Sequence, residues 1–86
     1  MYIKRTSREP EKITVFFSKA INGITMAKIY RPGAEMVIIV PKMVAIRSQG
    51  FSAEERTTII QTLEKKKSVI MEVAERQNFE VDLELD

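Results

Sequence analysis

The sequence predicts an α+β domain: a mostly antiparallel sheet in the order β-β-β-α-β, with one long amphipathic helix packed on it. Three observations carry this. The first half alternates β-branched and aromatic residues around Asn22-Gly23, the strongest short signal for a hairpin closed by a type I′ turn. Ser52-Ala53-Glu54-Glu55 has the spacing of a helical capping box ahead of an apolar stripe. Phe79 to Leu85 alternates apolar with acidic residues, the period of a half-buried strand.

Eighty-six residues make a single small domain, 1–86, with residues 1–11 as a basic arm. The arm is polar and carries Pro10, which does not suit a packed element. Strands are predicted from Lys12 to Ile21 and from Ile24 to Arg31. In a continuous hairpin register Ile13, Val15, Phe17 and Ile21 share the core face with Ile24, Met26 and Tyr30. The reverse face then carries Phe16 and Ile29 as neighbours among small residues. Arg31-Pro32-Gly33-Ala34 fits a type II turn, with proline at the second position and glycine supplying positive φ at the third.

Glu35 to Val40 reads as a buried strand that Pro41 ends, bulges or confines to an edge, because proline has no N–H for the ladder. Lys42 to Gln49 has two readings. It continues the strand past a bulge, or Pro41 opens a short helix that Gly50 terminates. The alternation of Val44 and Ile46 with polar or small neighbours favours the strand, and a crossover from it through the helix would make the last strand parallel to the third. From Ser52 the helix carries Ile59, Ile60, Leu63, Ile70, Val73 and Ala74 on one stripe. Lys65-Lys66-Lys67 interrupts that stripe, so a lysine must reach past the apolar seam or the helix must bend. A straight helix from Ala53 to Gln77 would measure about 37 Å, longer than the roughly 31 Å expected across so small a globule. A second protomer under the overhang, or a break at the lysines, resolves the mismatch.

Charge is divided unevenly. Residues 1–51 hold nine Lys/Arg against three acids, and residues 52–86 hold five against nine. A basic half joined to an acidic half points to a polyanion-facing surface or to opposite patches that pair between copies. With no histidine and no cysteine, the commonest general base, zinc ligands and thiol nucleophile are all missing. Three isolated glycines form no phosphate-binding loop. The carboxylates Glu80, Asp82, Glu84 and Asp86 stand two residues apart on one strand face, a spacing that glycosidases use; their ordinary role is to solubilise a strand and protect its edge. The expected protein is therefore not an enzyme and uses no cofactor or metal. No apolar run approaches the roughly 20 residues of a membrane span, and the opening MYIKRTSREPEK lacks a signal-peptide core; a cytoplasmic protein without membrane contact is expected.

A strand-rich first half followed by a helix opening GFSAEE resembles, in order of elements, the single-stranded-DNA-binding fold of the positive-cofactor type; the strand at Phe79–Leu85 departs from it. The functional expectation is a non-catalytic nucleic-acid-binding or regulatory protein, a homodimer, with DNA or RNA held by Lys4, Arg5, Arg8, Lys12, Lys19, Lys28 and Arg31. Tyr2, Phe16 and Tyr30 would offer stacking faces, and Lys42 and Arg47 further cations. The alternative is a protein-interaction or inhibitor module acting through the Phe16/Ile29 face of the sheet or the acidic last strand.

Overall fold

The computed structural model describes residues 12–84. The chain forms β1 (Lys12–Phe17), β2 (Thr25–Arg31), β3 (Ala34–Val40), β4 (Val44–Gln49), α1 (Ala53–Lys65), α2 (Lys67–Ala74) and β5 (Phe79–Glu84). The sheet is antiparallel throughout, in the spatial order β4-β3-β2-β1-β5. The α+β class and the antiparallel sheet are as the sequence predicts. The element count and the helix differ.

Four strands, not three, precede the helical region, and the last strand is not parallel to the third. Lys42–Gln49 neither continues β3 nor coils: the chain reverses at Pro41–Met43, where the Met43 N–H donates to the Ile39 carbonyl at 2.7 Å and Met43 adopts φ 59°. Methionine is not a residue that announces positive φ, so this tight reversal is silent in the sequence. The helices then cross one face of the meander, and β5 adds to the opposite edge beside β1.

The predicted single long helix is broken. Ser52 and Glu55 form the full capping box, Ser52 Oγ accepting from the Glu55 N–H at 3.1 Å and Glu55 Oε1 from the Ser52 N–H at 2.9 Å. At Lys66 the backbone leaves helical geometry, with φ −107° and ψ 15°. The break falls inside the lysine run and lets Ile59 and Leu63 on α1, and Ile70 and Ala74 on α2, all reach the core.

The Asn22-Gly23 turn forms as expected, with φ 55° and 77° and Ile21 and Ile24 exchanging hydrogen bonds of 2.8 and 3.1 Å. The register predicted beyond it does not. Phe17 pairs with Ala27 instead of Lys28, because three residues, Ser18 to Ala20, face only Thr25 and Met26. This bulge is locked locally. The Met26 N–H donates to Ser18 Oγ at 3.0 Å, the buried Thr25 hydroxyl donates to the Ser18 carbonyl, and the Ala20 N–H donates to the Ala74 carbonyl at the end of α2 at 2.8 Å. A one-residue slip inverts every side chain of the strand. Ala27 and Ile29 therefore enter the core with Ile13, Val15, Phe17, Met36 and Ile38, and Met26 and Tyr30, predicted inside, face out with Lys28.

Candidate functional site

Both helices pack on one face of the sheet. Among the described residues nothing covers the other. Its central row, read through the strand registers, runs Arg47, Val37, Lys28, Phe16, Glu80 from β4 to β5. The next row runs Gln49, Glu35, Tyr30, Thr14, Asp82. Towards the β3–β4 turn, Val44, Ile39 and Met26 align.

This face is unusually apolar for a solvent boundary. Phe16 is 36% exposed, Tyr30 37%, Met26 48%, Val44 49%, and Ile46, in the bulge of β4, 57%. Scattered surface apolar residues are ordinary, but a contiguous group across neighbouring strands marks an interaction surface. The charged positions that surround it are mixed in sign: Lys12, Lys28 and Arg47 with Glu35, Glu80, Asp82 and, opposite Lys12 in the register, Glu84. The signs are separated, with Arg47 at the β4 edge and Glu80 and Asp82 on β5.

Local contacts hold these groups in place. Lys28 Nζ lies 5.9 Å from the centre of the Tyr30 ring. The Tyr30 hydroxyl donates to Glu80 Oε2 at 3.4 Å, and its pKa is raised by partial desolvation and then by the nearby carboxylates of Glu80 and Asp82. Arg47 Nε stands 3.9 Å from Glu35. Beside Tyr30, an open depression of about 400 Å³ is bordered by Lys28, Gly33, Glu35 and Gln49. It lies open on the sheet surface. A second recess, between β5 and the helix break, is lined by Phe17, Leu63, Ile70, Phe79 and Val81. Its volume of about 170 Å³ is below the several hundred typical of a small-molecule site. Among the described residues no three metal-binding side chains converge, and no helix is long and apolar enough to cross a membrane.

The structure separates the basic residues singled out in the sequence. Lys4, Arg5 and Arg8 lie outside the described residues. Lys12 opens β1, Lys19 is exposed in the bulge, and Lys28 stands on the open face. Arg31 is on the opposite, helix-covered side. Its guanidinium makes two hydrogen bonds to Glu55, 3.1 and 3.2 Å, and stacks 4.6 Å over the Phe51 ring. It clamps the end of β2 to the start of α1, a structural task the sequence reading did not assign to it. The hydrogen bonds from Arg31, followed by the one from the Ser52 N–H, hold the Glu55 carboxyl below its ordinary range.

Met26, Val37, Ile39 and Val44 are the surface residues that sequence reasoning missed. One signal for them was present: Lys28 lies between Met26 and Tyr30 at strand spacing, so all three must share a face that tolerates an ammonium group. Comparison with protein-family models, with curated proteins and with solved structures gives no match.

Proposed function

We propose that this chain is a non-catalytic interaction module that works as a homodimer through the open face of its sheet. The observation that carries this reading is the half-exposed group of Phe16, Met26, Tyr30 and Val44, joined by Val37 and Ile39 across neighbouring strands, on a face of mixed charge. A face of apolar groups among charges of both signs attracts a polyanion weakly and matches a protein surface well. Small size adds a motive, since a domain of this length buries only roughly 60 to 65% of its unfolded-chain surface and gains from a partner. Light scattering at high micromolar concentration is expected to give twice the 9.9 kDa chain mass, and Met26→Lys the mass of one chain, folded by circular dichroism, with an unfolding midpoint that no longer rises with protein concentration. A wild-type mass of one chain would remove the reading.

A second reading, nucleic-acid binding, draws on one observation. Tyr30 lies between Lys28, two residues along β2, and Lys12, its diagonal neighbour on β1, and Lys4, Arg5 and Arg8 precede Lys12 in the sequence. An aromatic ring flanked by cations suits a base of single-stranded DNA or RNA with its phosphates. With Arg31 engaged by Glu55, four contacts from Lys4, Arg5, Arg8 and Lys28 would give a log-log salt slope of about −2.8 on single strands. Absence of oligonucleotide retention at low salt would exclude it.

A further inference from the structure

We infer that the partner on the open face is a second copy of this chain, turned about a two-fold axis that runs along β2, so that Arg47 of each protomer meets the partner's Glu80. This inference deepens the homodimer reading above and rests on it. Arg47 and Glu80 occupy the two ends of one row across the sheet, four strand spacings or about 19 Å apart.

Two in-plane axes can bring this face against itself. An axis perpendicular to the strands lays β5 on β5, setting Glu80 against the partner's Asp82 and leaving both acidic edges opposed. An axis along β2 lays β4 on β5 twice. Arg47 then faces the partner's Glu80, Gln49 offers its amide to the partner's Asp82, and Glu35 meets the hydroxyl of the partner's Thr14. Along the same rows Val37 covers the partner's Phe16, and Met26 lies near its own copy. The one like-charge approach, between the two Lys28 residues beside the axis, is eased because each ammonium rests against its own Tyr30 ring at 5.9 Å. Charge complementarity therefore selects the axis along β2.

The area is sufficient. Five strands at about 4.8 Å spacing and six residues at about 3.3 Å each make a face of roughly 24 by 20 Å. Two such faces bury on the order of 1,000 Å², the size of a weak, reversible interface. Pairing of two sheets face to face is the ordinary sandwich arrangement.

Charge reversal tests the pairing in the full-length protein by sedimentation, with circular dichroism reporting the fold. Arg47→Glu alone and Glu80→Arg alone are each expected to weaken the dimer at least tenfold, since each sets like charges opposite one another twice. Mixing the two variants in equal amounts should restore a dimer, because every 47–80 contact is then between opposite charges. The double variant Arg47→Glu/Glu80→Arg should pair with itself, which keeps the test decisive if one single variant folds poorly. A dimer unaffected by the single reversals, or weakened by them with no rescue in the mixture or the double variant, overturns this pairing while leaving the homodimer reading standing. A wild-type chain that sediments as a monomer overturns both.

Discussion

At the scale of single residues, a few side chains fix the geometry on which the open face depends. Glu55 serves two of them, Arg31 and Ser52. Its carboxyl is held below its ordinary value of 4.5, so its folded pKa lies below its unfolded one. The stabilisation is fully present above the unfolded value and is lost as pH falls through the folded value. The unfolding midpoint of the wild type should therefore drop on acidification below about pH 4.3 more steeply than that of Glu55→Gln; equal slopes would contradict the clamp. Ser52→Ala should cost about 0.5 to 2 kcal/mol, measured by denaturant unfolding. Gly50 has φ 88°, and a β-carbon there would collide with the Gly33 carbonyl and lie 2.8 Å from Ala34 Cα. Gly50→Ala should destabilise by more than about 1 kcal/mol, and a neutral result would contradict the close approach of these two turns. The cap was legible because it is a local spacing rule. The Arg31 clamp was not, since Arg31 and Glu55 are brought together only by the path of two further strands.

At the scale of elements, the outcome turned on one inserted residue. Alternation along β1 identified Ile13, Val15 and Phe17 as core, and Asn22-Gly23 identified the turn, because both are local patterns. The bulge at Ser18–Ala20 is a tertiary choice. It is stabilised by Thr25 and by the end of α2, and it exchanges Ile29 for Met26 and Tyr30 at the core. Thr25→Val removes the donor to the Ser18 carbonyl in a buried place and should cost about 1 to 3 kcal/mol, with amide exchange accelerating first at Ser18 and Met26. Unchanged stability and exchange would show that the bulge does not depend on that hydroxyl. The helix break was half legible. Three consecutive lysines require a departure from one apolar stripe, and the physical solution is the non-helical Lys66, which re-aims α2 so that Ile70 joins Leu63 in the core and Ala74 is buried.

At the scale of the whole molecule, the helices cover one face of a five-stranded sheet and leave a second on which apolar groups surround Lys28, with Arg47 at one edge and acidic β5 at the other. The uneven charge along the chain was visible in the sequence. Its arrangement was not, since the β-β-β-β-α-α-β order alone carries acidic β5 back to the edge opposite β4, where Arg47 stands. A two-fold along β2 covers Tyr30 and Lys28, so the nucleic-acid reading and this homodimer compete for one surface. Methyl NMR over a dilution series tests the open face as the contact surface most directly. The methyl signals of Met26, Ile39 and Val44 should shift together with protein concentration, while those of the buried Ile59 and Leu63 and of the exposed helical Val69 stay fixed. Concentration-independent spectra throughout, or shifts confined to Val69 and its helical neighbours, would contradict the account.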